Sequence, residues 1–172
     1  MSSHHFAPLL GKLEQLLYIL FSNKNNEVSA MSSSLSPSAV AVLGLAAWML
    51  VLLFVMVNQR GLLVLSGKMK VNAFAPDGSN TPDGFGRRLV RAHANCVENL
   101  PLMLAVLLYA LATGNSAVTD GLALLLLAAR VFQSVMHLIS TAQIFVWLRF
   151  AGFLVQLLIV AWWLLRLSGL IG

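Results

Sequence analysis

From residue 37 onward, long apolar runs alternate with short polar or glycine-rich breaks. Pro37 to Val57 is 21 residues without a charge. At 1.5 Å per residue that length crosses a hydrocarbon core of ~30 Å. Ser36 suits an N-cap and Pro37 the first helical position. A polar, punctuated loop follows from Asn58 to Gly86, holding Arg60, Lys68, Lys70, Pro76, Asp77 and Pro82. Leu100 to Thr113 is apolar but short for a crossing, so the second span must start near Arg88. That draws Arg91, His93, Asn95, Glu98 and Asn99 into or just above the bilayer. Further runs complete the pattern, giving spans at about 37–57, 88–113, 118–139 and 144–167. The expectation is an all-α, integral membrane four-helix bundle over residues 36–172, with no internal repeat.

Residues 1–35 read differently. Phe6, Leu9, Leu10, Leu13, Leu16, Leu17 and Leu20 recur at three- and four-residue spacing, on one helical stripe. With Lys12, Glu14 and Gln15 among them, the stretch is too short and polar to span. It fits an amphipathic interfacial helix followed by a linker, Ser22 to Ser36. Glu14 and the missing basic start argue against a signal peptide. A folded unit that begins near Met31 and does without this segment is the alternative.

Composition agrees with the pattern. Hydrophobic residues reach 59% and charged ones 10%, against roughly 45–50% and about 25% in soluble domains. So few charges cannot cover a water-facing surface. A single cysteine, Cys96, excludes a disulfide scaffold. The net charge of +5 reads as membrane orientation rather than nucleic-acid binding. Arg60, Lys68, Lys70, Arg87, Arg88 and Arg149 flank two loops on one face, while the turn near Gly114 has no Lys or Arg. Both termini are expected on the non-cytoplasmic side, in a bacterial inner membrane or an endomembrane.

Ionisable side chains inside a span need a partner or a wet cavity. Arg88, Arg91, Asn95 and Glu98 fall within roughly an 80° sector of one helix. Arg130, Gln133, Ser134 and His137 share a face of the third span; Arg149, taken to open the fourth, has Phe153 and Gln156 on its side. All lie toward the cytoplasmic end, so the three helices are expected to converge on one polar cavity. An Arg91–Glu98 or Arg130–Glu98 pair could merely join helices, but three arginines outnumber one carboxylate. An unneutralised basic pocket favours an anionic ligand. Arg87 and Arg88 are expected to reach the headgroups, Pro101 to kink its helix, and Cys96 to be a small buried hydrophobe. His93 reads as a hydrogen-bonder; no spacing, His4 and His5 included, suggests a metal site. Trp48, Trp147, Trp162 and Trp163 read as interface anchors. Walker, dinucleotide and Ser-His-Asp patterns are missing.

The run Arg88-Leu-Val-Arg91-Ala-His93-Ala-Asn95-Cys-Val-Glu98-Asn-Leu-Pro101 resembles the second-helix signature of the MAPEG family, the membrane-associated proteins in eicosanoid and glutathione metabolism. Lys70-Val-Asn-Ala-Phe74-Ala75 and Arg130 are similar to the same family, and the resemblance spans about residues 37–167. It implies a trimer of four-helix bundles that binds glutathione between neighbouring subunits near the cytoplasmic face. It also implies that Arg91, Asn95, Glu98 and Arg130 contact glutathione or hold its site, with Gln133 and His137 beside them. Arg149 most resembles the arginine near the sulfur. In the prostaglandin-synthase branch, Arg stands at the position of Ala94, His at Gln133 and Tyr at His137.

The function these readings imply is a trimeric, membrane-embedded, glutathione-dependent transferase or peroxidase acting on lipophilic electrophiles. A non-catalytic scaffold holding glutathione or a lipid is the alternative. A channel or transporter subunit lacks the inverted repeat expected of one.

Overall fold

The computed structural model describes Gln15, Tyr18, residues 35–75 and residues 78–171. The chain divides into two units, Met1–Leu35 and Ser36–Gly172. In the first, Gln15 and Tyr18 are helical and exposed. The apolar residues of the expected amphipathic stripe, and Ser22–Ser34 of the expected linker, lie outside the described residues.

The second unit holds four long helices: α1 (Pro37–Leu65), α2 (Phe85–Ala112), α3 (Ser116–Ile139) and α4 (Gln143–Leu167), with a 3₁₀ turn at Val71–Ala73. Each is long and apolar enough to cross a membrane. The protein is an all-helical, multi-pass membrane bundle. α1 runs eight residues beyond the expected Val57. Asn58 Nδ2 donates to the Phe54 carbonyl rather than breaking the ladder (2.8 Å), and the apolar Leu62–Leu65 continues the helix.

The first turn of α1 shows how an end is completed inside a membrane protein. Pro37 has no N–H to satisfy. Ser38 N–H donates to Asp120 Oδ1 on α3 (3.0 Å), and Ala39 N–H to the Ser36 hydroxyl (3.3 Å). The Ser38 hydroxyl lies 2.6 Å from the same carboxylate. A carboxylate at a helix N-terminus also meets the positive end of the dipole.

α3 packs against all three other helices, whereas α4 rests mainly on α3 and touches α2 lightly. α2 turns Leu89, Ala92, Cys96, Leu100, Met103, Leu107 and Ala110 inward, a three/four spacing that marks one face. Leu89, Cys96, Leu100, Met103 and Leu107 form one core with Ala41, Leu45 and Leu52 of α1, Ala123 and Leu126 of α3, and Trp163 of α4. Trp163 is thus core, 0% exposed, and not the interface anchor its position suggested; Trp147 and Trp162 remain exposed. α2 is continuous through Pro101, which lies on its exposed face. There the lost bond leaves no orphan donor, since proline has no N–H.

The turns are tight. Gly114 (φ 71°) ends α2 in a Schellman arrangement, with Asn115 N–H on the Ala110 carbonyl and Gly114 N–H on that of Leu111. In the long loop, the Arg60 guanidinium stacks 5.2 Å from the Phe74 ring centre. Gly78 (φ 72°) sits where a β-carbon would run into Val90 of α2. The loop is therefore laid against the start of α2.

Candidate functional site

The polar side chains gather in two places. The inner one surrounds Arg130, which is 0% exposed. Its Nη1 donates to Gln133 Oε1 (2.8 Å) and Gln156 Oε1 (3.3 Å). Its Nη2 donates to the Asn95 carbonyl (2.6 Å), which also accepts from Asn99 Nδ2 (2.8 Å). Gln156 Nε2 closes the circuit on Gln133 Oε1 (3.0 Å) and the Gly152 carbonyl (2.7 Å). Three helices are thus tied at one depth by a permanent cation and neutral acceptors. Arg130 Nε has no partner among the described residues. Cys96, fully buried, lies 3.5 Å from the Ser134 hydroxyl beside this cluster.

Gly152 makes the approach possible. A β-carbon there would stand 3.3 Å from Gln133 Cβ and 3.5 Å from the Ala129 carbonyl, so α4 comes close enough for Gln156 to reach α3. Neither the circuit nor the role of Gly152 was expected. The available signal was a lone amide, Gln156, in an apolar run, with a glycine one turn before it.

The outer place lies toward the start of α2 and the turn between α3 and α4. His137 Nδ1 and Arg149 Nη1 are 3.0 Å apart, and Arg149 Nε donates to the Phe145 carbonyl (3.1 Å). Arg91 is near enough for its charge to act on both Arg149 and His137. The guanidinium of Arg91 makes no hydrogen bond among the described residues. At the mouth, Arg88 Nε donates to the Leu138 carbonyl (2.8 Å), fastening α2 to the end of α3. A recess of about 270 Å³ is lined by Asp83, Gly84, Arg87, Arg88, Arg91 and Thr141. Arg87 is held by Asp83 (2.6 Å), the one ion pair among the described residues. That leaves Arg88, Arg91 and Arg149 without a carboxylate.

The single expected cavity is therefore not what one chain forms. Arg130, Gln133 and the Asn95 carbonyl are sealed inside; His137, Arg149 and Arg91 gather near the mouth. Glu98 pairs with neither Arg91 nor Arg130: it is exposed on the outward face of α2. The reason is helical geometry. The apolar stripe of α2 claims the inside, and Arg91, Ala94 and Glu98, spaced by three and four, lie on the opposite side. Arg149 does not open α4 but stands six residues after Gln143, past the first turn, where the helix dipole has faded. An apolar groove between α2 and α4, lined by Leu102, Val106, Tyr109 and Leu164 among others, lies toward the other membrane face.

Glu98 stands 14 residues from the end of α2 and Arg130 14 residues from the start of α3, each about 21 Å of helix. The two are thus at matching depth, well inside a core of ~30 Å. An exposed carboxylate there is costly in lipid. No group of three or more His, Cys, Asp or Glu that could hold a metal occurs among the described residues.

A family model described as the MAPEG family matches residues 38–169. No curated protein and no solved structure matches the chain.

Proposed function

The chain belongs to the MAPEG family, and we propose on that premise that it is a membrane-embedded glutathione-dependent transferase or peroxidase acting on lipophilic electrophiles. The observation that carries this reading is the outer cluster. Arg91 and Arg149 present guanidinium donors with no carboxylate among the described residues to neutralise them, which is what an anionic tripeptide requires. Glutathione fits the donor set on both counts: carboxylates for Arg91 and Arg88, and an ammonium group for Glu98.

The recess in one chain falls just short of the ~300–1,000 Å³ of ordinary ligand sites. Together with outward-facing Glu98, this supports a site completed by a second copy, in a homotrimer. Asn95, Gln133 and Arg130 stay behind that surface and hold it in shape. The termini lie on the non-cytoplasmic face of a bacterial inner membrane or an endomembrane, so that cytosolic glutathione meets substrate arriving through the bilayer.

Bound glutathione supplies the thiol nucleophile. A free thiol ionises near pH 8.5, and its anion is the reactive form. Lowering that value by two units needs about 2.7 kcal/mol of preference for the anion. A unit charge at 4 Å offers ~4 kcal/mol at an effective dielectric of 20, so Arg149 alone suffices. Three of its five N–H groups remain after the bonds to His137 and Phe145.

Turnover of a generic electrophile by the purified protein tests the reading. Activity that depends on glutathione, and collapses in Arg149→Leu while glutathione still binds, is the expected result. Binding without turnover would make the protein the scaffold instead. Raising the pH should restore part of the Arg149→Leu rate, because it supplies the anion that the arginine no longer stabilises.

A further inference from the structure

Arginine has N–H donors and no acceptor. The 3.0 Å contact between Arg149 Nη1 and His137 Nδ1 therefore fixes the state of the ring: Nδ1 carries the lone pair and the proton sits on Nε2. His137 is neutral in this arrangement. The cations acting on it are Arg149, Arg130 and Arg91. The ring lies two residues before the end of α3, and Arg149 in the second turn of α4. The bond thus crosses the helix pair next to the turn that joins them. With Nε tied to the Phe145 carbonyl, the guanidinium is held from two sides, once by its own helix and once by α3.

We propose that His137 is a positioning residue for Arg149, its Nδ1 lone pair holding the guanidinium where the remaining N–H groups meet the glutathione sulfur. This rests on the reading of Arg149 given above and adds a requirement: what matters at position 137 is a hydrogen-bond acceptor at the place of Nδ1. Bulk is not enough. The amide oxygen of asparagine sits at nearly the same distance from the backbone as Nδ1, whereas leucine fills the space without accepting.

The test uses the full-length protein in detergent, with glutathione as the probe and thiolate ultraviolet absorbance as the signal. In His137→Leu, the pH at which the thiolate forms should rise by about one unit, a roughly threefold loss of thiolate at neutral pH for a thiol lowered by about two units in the parent, with glutathione affinity falling by no more than about the same factor. His137→Asn should stay close to the parent. A merely space-filling histidine would give the reverse order. A Leu variant with the parent's thiolate profile overturns the proposal and leaves the proposed activity standing; so does an Asn variant as impaired as Leu. A parent protein that binds glutathione without forming the thiolate sinks both. A second measurement does not depend on the Leu variant folding. Nitrogen-15 spectra of the glutathione-free parent should show His137 with Nδ1 unprotonated, and that signal should move in Arg149→Leu. A protonated Nδ1 would overturn the proposal outright.

Discussion

Arg130 carries its charge at 0% exposure with only amide and carbonyl oxygens as partners. Such a group is stabilised by its bonds to those dipoles and leaves them stranded when it goes. Arg130→Leu should therefore act on the fold: orphaned acceptors cost about 1–3 kcal/mol each, read as a lower melting temperature in detergent. An unchanged melting temperature with weakened glutathione binding would place Arg130 in the ligand site after all. Glu98 makes the opposite case. It faces outward, so Glu98→Gln should leave the melting of one chain alone. It should instead weaken glutathione binding or subunit association by about 10–100-fold, the worth of a charged hydrogen bond of roughly 1.5–3 kcal/mol. Unchanged affinity and unchanged association would make it a bystander. The sequence made these residue types legible, because charges in an apolar run stand out. It did not reveal which of them turn inward, since that depends on which stripe of α2 the bundle selects.

At the level of helices, the spans were legible to within a few residues, apart from the end of α1. Apolar length controls crossing, and Ser36-Pro37, Gly114 and Ser140–Ala142 punctuate the runs. What was not legible was contact between elements far apart in sequence. Asp120 capping α1 needs α3 to lie alongside it, and the Gln156–Gln133–Arg130 circuit needs α4 pressed onto α3. Gly152 is the element-scale test. A β-branched side chain there must push against Gln133 Cβ, 3.3 Å from the β-carbon position, and the Ala129 carbonyl. Gly152→Val should destabilise the protein by about 1–3 kcal/mol, as overpacking does, and separate α4 from α3 enough to break the Gln156 bonds. Gly121, whose β-carbon position is open, is the control. Equal melting of Gly152→Val and Gly121→Val would show that α4 does not depend on that close approach.

For the whole molecule, composition and span length were enough to identify a membrane bundle, and the second-helix signature was enough to point to its family. Neither could show that one chain leaves part of its polar face uncovered. That follows from α2, which buries its apolar stripe and turns Arg91 and Glu98 outward at membrane depth. Covering such a face with lipid would leave a carboxylate in hydrocarbon, so the cover we propose is a second copy, with the proposed glutathione site belonging to the assembly. Native mass spectrometry of the detergent-solubilised protein with glutathione tests this most directly. Glutathione should ride on trimer peaks and be missing from any monomer released on activation. A monomer that keeps glutathione as tightly as the trimer would contradict the account.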